Sequence, residues 1–177
     1  MRALLYGSGA LGVLGVLLAG LLIWGLAMDS RWRVERSVEI AAAPGPVFAY
    51  VSILRNWPEW TAWNPEEYPD LQHEFSGPDW GVGATQRWHD GDMRGELHVT
   101  EFRPGEYLEY VLEMDPGKIR LRGSLRIEPT RTGSRLSWSC WGDAGDNPLD
   151  KLMMRVYMPM IGRDFSAGLV NLQARFR

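Results

Sequence analysis

Three hydropathy patterns divide the chain. The first is a run from Ala3 to Met28, "ALLYGSGALGVLGVLLAGLLIWGLAM", without a charged residue. As a helix it would extend roughly 39 Å at about 1.5 Å per residue, enough to cross a hydrocarbon core of about 30 Å. Arg2 precedes it, and Asp29, Arg31, Arg33 and Arg36 follow. Tyr6 and Trp24 sit near its ends, where amphipathic rings favour the membrane interface. The run exceeds the roughly 7–15 apolar residues of a signal peptide and has no clear Ala-x-Ala cleavage site, so we read residues 1–29 as a retained transmembrane anchor. One Lys or Arg stands close before it and three after it, a small excess that leans toward a cytoplasmic soluble domain. Strand-like alternation begins at about Trp32, which leaves almost no linker and places the domain close against the bilayer.

The second pattern has a period of two. "WRVERSVEI" sets Val34, Val38 and Ile40 against Arg33, Glu35, Ser37 and Glu39, and leaves Arg36 on the apolar side. "AAAPGPVFAYVSIL" predicts a short helix starting at Pro44 or Pro46. A second short helix is expected in "NWPEWTAWNP", capped by Asn56, where Trp57, Trp60 and Trp63 at three-residue spacing can face one neighbour. Strands are then expected at 70–76, 84–90, 94–103, 106–114, 118–128 and 134–142. They are separated by turns at Asp90-Gly91, Pro104-Gly105, Pro116-Gly117 and Thr132-Gly133. Such short connections make an antiparallel meander. Its clearest strand, "KIRLRGSLRIE", turns Ile119, Leu121, Gly123, Leu125 and Ile127 one way and its charges the other.

The third pattern is helical, over about 148–176: Leu149, Leu152, Met153, Val156 and Met160, then Phe165, Leu169, Leu172 and Phe176. Pro159 and Gly162 predict a kink or break inside it. A sheet with one apolar face must cover that face, and this segment is the long element left to do so. The fold class expected is therefore α+β: a curved antiparallel sheet of about seven strands around a long C-terminal helix, plus one N-terminal transmembrane helix.

Composition narrows the function. A formal net charge of −3 argues against a nucleic-acid partner. The single cysteine, Cys140, excludes an internal disulfide and reads as a small core residue. His73, His89 and His98 show no metal-ligand spacing and read as surface or strand-end residues, and no cofactor is implied. "GPDWGVGA" lacks the Lys-Ser/Thr of a phosphate loop and enters a strand, so it reads as a turn. Arg36 needs a partner or a wet space on its apolar side, and Glu101 alternates in step to supply one.

These elements together resemble the START-like, or SRPBCC, superfamily in its polyketide cyclase/dehydrase-like branch. The resemblance rests on "VERSVEIAAAPGPVFAYVSILRNWPEW", on "GVGATQRW" at 81–88, on "PTRTGSRLSWSCWGD" and on "IGRDFSAGLVNLQ". It covers about residues 32–176 and implies the helix-grip fold with a deep apolar cavity between sheet and last helix. It implies no single function: members bind, transport or sense lipids, sterols or hormones, and only some catalyse reactions.

The function expected is binding of a hydrophobic, lipid-like small molecule by the domain over residues 30–177, tethered through residues 3–28. Trp60, Trp63, Trp88, Tyr110, Trp138, Met153 and Arg36 are the candidate ligand-binding residues, because aromatic and methionine side chains suit an irregular apolar ligand. The alternatives are a cyclase/dehydrase-type enzyme using Arg36 with Glu101, and a protein-interaction domain with a filled core.

Overall fold

In the computed structural model the described residues are 2–177 apart from 92, 116 and 118, with side chains described from Gly15 onward. Helix α1 (Arg2–Ala27) leads into strand β1 (Arg31–Ile40), helix α2 (Pro44–Val51) and a 3₁₀ helix (Leu54–Glu59). Six strands follow: β2 (Gln72–Ser76), β3 (Thr85–Asp90), β4 (Met93–Arg103), β5 (Tyr107–Met114), β6 (Ile119–Thr130) and β7 (Gly133–Asp143). Helix α3 (Pro148–Arg175) ends the chain. The seven strands form one sheet in the order β1-β7-β6-β5-β4-β3-β2, and the pairs from β2 to β7 are antiparallel. Every expected strand is present, and its alternation places the core. The turn expected at Pro116-Gly117 includes a residue outside the described ones.

The chain divides into two compact units, one of residues 1–32 with 143–157, the other of 33–142 with 158–177. In the first unit, Asn147 caps α3 by accepting the Leu149 N–H at 3.0 Å, and Pro148 fills the first helical position, where its missing N–H costs nothing. Gly25 of α1 lies against Pro148, so close that a Cβ there would fall 2.8 Å from the proline Cβ. Lys151 Nζ donates to the Met28 carbonyl at 3.1 Å, satisfying an orphan acceptor at the end of α1. Side chains from Val16 to Leu26, among them Leu17, Ile23 and Trp24, are exposed. Among the described residues no helix is long and apolar enough to cross a membrane. The transmembrane anchor expected over 3–28 is therefore not supported among those residues, and much of that run carries side chains outside them.

The second unit holds the sheet and its core. The inward rows of β4 to β7 bury Leu97, Val99, Leu108, Tyr110, Leu125, Ile127, Leu136, Trp138 and Cys140. The inward face of the second half of α3 buries Phe165, Leu169 and Leu172 at helical spacing. On β5 and β6 the charged residues pair at the surface, Arg122 with Glu109 at 3.4 Å and Arg120 with Glu113 at 3.3 Å.

Two local expectations are corrected. Helix α3 runs unbroken through Pro159 and Gly162. Proline removes one intrahelical hydrogen bond, and the bonds on either side hold the helix together across that gap. Asn56 does not cap a helix: it lies within the 3₁₀ turn, whose cap is the extended residue Ile53, and its amide donates to the Tyr50 carbonyl at 2.9 Å.

Candidate functional site

The strand register builds an aromatic cluster between the sheet and α3. Tyr110, Gly123 and Cys140 form one inward rung across β5, β6 and β7, and Leu108, Leu125 and Trp138 form the next. Gly123 leaves the middle of its rung bare, and the Tyr110 ring lies across it in direct contact. That crossing lets Trp138 Nε1 donate to Tyr110 Oη at 2.9 Å, although the two residues sit two strands apart. Burial removes the phenol from water and pushes its pKa well above the ordinary tyrosine value, so it stays neutral.

The other wall comes from the segment after α2. The three tryptophans share one neighbour, Trp138, but not as the side of one helix: the 3₁₀ helix ends at Glu59, so only Trp57 lies within it and Trp60 and Trp63 follow it. Ring centroids of Trp57, Trp60 and Trp63 lie 5.9, 5.0 and 6.2 Å from that of Trp138. Trp57 also meets Tyr110 edge-on at 5.4 Å, and its Nε1 donates to the Val51 carbonyl at 2.8 Å. From α3, Phe165 stacks on Trp138 with centroids 3.9 Å apart and planes within 5°. Gly168 lets α3 close on this wall: a Cβ there would stand 3.2 Å from the Trp60 carbonyl oxygen and 3.3 Å from the Trp138 ring.

The cluster is tight, with Trp60 and Trp138 each 1% exposed and Trp63, at 36%, its accessible member. Of the expected ligand-binding residues, the structure brings together Trp60, Trp63, Tyr110 and Trp138. Trp88 lies on the same concave side but over Gly95, two same-face rungs from Tyr110, or roughly 13 Å along the strands. Met153 is 45% exposed and belongs to the other compact unit, so the structure does not bring it to the cluster. Arg36 is exposed, with its guanidinium against Gly162, one turn before Phe165, and it donates to the Glu35 carbonyl at 2.7 Å. The expected Arg36–Glu101 pair is corrected: three strands separate β1 from β4, and Glu101 pairs with Arg103 at 3.2 Å. Phe165 was legible only as a helix core position, and its stacking on Trp138 depends on a register no local pattern reveals.

Chemistry elsewhere is sparse. No group of three or more His, Cys, Asp or Glu residues among those described could hold a metal ion. Cys140 is buried, which raises its thiol pKa to about 12. His73 is half-buried rather than on the surface, and burial lowers its pKa. Gln86 Nε2 lies 3.0 Å from its Nδ1, and an amide NH₂ can only donate, so Nδ1 accepts. A shallow cleft lined by Leu54, Arg55, Phe75 and Asp79, with about 10 Å³ of space, has room for a single water at most.

Residues 31–177 match the family described as "Polyketide cyclase / dehydrase and lipid transport". The chain belongs to this family. The fold is similar to that of protein MLL2253 from Mesorhizobium loti (TM-score 0.60, 15% identity, 81% of this chain and 95% of that one). A protein from Nitrosospira multiformis is equally similar (TM-score 0.60, 15% identity, 82% and 97%). DynU16, from the dynemicin biosynthetic locus, matches with a TM-score of 0.57 and 15% identity over 83% of this chain and 47% of that one. At such identities the likeness shows the helix-grip fold alone. No curated protein matches the sequence.

Proposed function

We propose that the domain over residues 30–177 binds a hydrophobic, lipid-like small molecule among the rings between the sheet and α3. The observation that carries this reading is the aromatic cluster itself. Six rings meet there mostly edge-on or tilted, and the cluster has one partly exposed member, Trp63. Edge-to-face contacts are weak individually, about 0.5–1.5 kcal/mol beyond area burial, so a ligand that replaces ring–ring contact with its own apolar surface meets a low barrier. Swinging Trp63 outward is the least costly way in. Burial then releases about 0.8 kcal/mol per methylene, so ten methylenes supply on the order of 8 kcal/mol before ordering costs. The lipid-transport description of the family supports the same ligand class. Trp60, Trp63, Tyr110 and Trp138 form the wall in this reading, with Trp88 and Arg36 as outlying contacts on the concave side and rim.

Helix α1 holds this domain at a membrane. The uncharged run Ala3–Met28 and the exposed apolar side chains of α1 from Val16 to Leu26 support this part. A protein-interaction role is a second reading, favoured by the exposed Leu149, Met153, Val156 and Tyr157 on the first turns of α3.

The test is contact quenching of tryptophan emission by 9,10-dibromostearate, titrated into the full chain. Saturable quenching at one equivalent, weakened in Trp63→Ala, is the expected result. Linear, unsaturable quenching unaffected by the substitution would refute binding in the cluster.

A further inference from the structure

The donors of the aromatic cluster are unevenly served. Trp57 Nε1 donates to a backbone carbonyl and Trp138 Nε1 to the Tyr110 hydroxyl. Trp60 Nε1 is buried with no hydrogen-bond partner among the described residues; Trp60 is 1% exposed and sits 5.0 Å from Trp138 and 5.7 Å from Trp57, centroid to centroid. The orphan is not a by-product of a loose segment. The Trp60 N–H donates to the Trp57 carbonyl at 3.2 Å, its own carbonyl accepts from Asn171 Nδ2 at 3.4 Å, and α3 closes on it at Gly168. A buried donor left without an acceptor is costly; of the four such side-chain atoms among the described residues, Trp60 Nε1, His73 Nε2, Thr130 Oγ1 and Ser134 Oγ, the Trp60 donor is the one within the aromatic cluster.

We infer that the Trp60 indole N–H is the polar contact of the ligand site, and that the site selects flat-ringed molecules bearing a carbonyl or hydroxyl oxygen. The inference rests on the binding role proposed above and specifies its ligand. The oxygen accepts the Trp60 proton, while the ring system takes contact positions against Trp138, Trp57 and Trp63. Rigid aromatic walls match a rigid ring system better than a flexible chain, because fewer ligand torsions are frozen on binding. The same donor discriminates: an isostere without the oxygen offers the N–H no acceptor.

Two probes of nearly the same shape separate the possibilities: 1-acetylnaphthalene, with a carbonyl acceptor, and 1-isopropenylnaphthalene, with a methylene in its place. Both are titrated into the ¹⁵N-labelled full chain, with the indole N–H resonances as readout and the Trp60 resonance identified by its loss in Trp60→Phe. The ketone is expected to bind about tenfold tighter than the hydrocarbon and to shift the Trp60 indole resonance saturably downfield. Trp60→Phe should bind both probes with the hydrocarbon's affinity. Equal affinities in the native chain, a ketone preference that survives in Trp60→Phe, or a Trp60 resonance unmoved by bound ketone would overturn the inference while leaving hydrophobic binding intact. Binding of neither probe, together with unsaturable quenching by dibromostearate, would overturn the binding role itself. The comparison of ketone and hydrocarbon affinities is read in the native chain and does not depend on the variant folding.

Discussion

Replacing Tyr110 by phenylalanine isolates the hydrogen bond that ties the aromatic cluster together. The substitution keeps the ring that lies across Gly123 and meets Trp57 at 5.4 Å, and removes only the oxygen that accepts from Trp138 at 2.9 Å. Both residues are almost fully buried, at 2% and 1% exposure, so no solvent stands ready to replace the lost acceptor. The cost is then that of an unsatisfied buried donor, about 1–3 kcal/mol, rather than the smaller net value of an ordinary hydrogen bond. For a domain of this size that corresponds to a fall in Tm of about 2–12 °C. Urea unfolding should show a lower midpoint with an unchanged slope, because the surface exposed on unfolding is the same. In a double-mutant cycle with Trp138→Phe, the second substitution removes the orphaned donor, so the combined loss should fall short of the sum by about 0.5–3 kcal/mol. Tyr110→Phe matching the native chain within about 0.3 kcal/mol, or simple additivity in the cycle, would refute the reasoning and reduce Tyr110 to a packing residue.

Further outcomes follow from the same geometry. Gly123→Ala places a methyl inside the Tyr110 ring and should destabilise the domain by about 1–3 kcal/mol, whereas a side chain tolerated there would mean the ring does not cross the strand. Cys140, buried with its pKa raised to about 12, should resist a disulfide reagent at neutral pH in the folded chain and react at once in denaturant. The lowered pKa of His73 means that the unfolded chain binds the extra proton more readily. Its contribution is therefore present above the usual histidine value of about 6.5 and is lost as pH falls through the lower folded value. Urea midpoints taken from pH 7 down to pH 5 should fall more steeply for the native chain than for His73→Gln, and equal slopes would contradict this.

Much of this architecture is legible from period and punctuation alone. Alternation with a period of two gives each strand from β2 to β7 and its inward face, because a half-buried strand cannot shift register without turning its apolar side to water. A common neighbour for Trp57, Trp60 and Trp63 is suggested by their spacing, but the helix ends at Glu59 and the identity of the neighbour as Trp138 is not legible. That identity depends on pairing across β5, β6 and β7. Arg36 and Glu101 show the same limit: each alternates correctly in its own strand, and only the sheet order reveals three strands between them. Met153 illustrates another. Its place in an apolar helical run says nothing of which of two offset apolar faces it joins. Pro159 reads as a break because local chemistry weights one missing bond heavily, while the helix sums many. The orphaned Trp60 donor leaves no trace in the sequence, since hydrogen-bond satisfaction is decided by partners far along the chain.

The measurement that tests the central claim most directly is native mass spectrometry of the full chain purified in a mild detergent, with organic extraction of whatever it carries. Binding in the grip predicts a chain that retains one non-protein mass after detergent is stripped, extractable as a hydrophobic small molecule and diminished in Trp63→Ala. A chain that sheds every adduct with the detergent, and takes up no dibromostearate or acetylnaphthalene when they are supplied, would contradict it, leaving the ring cluster as a solid core.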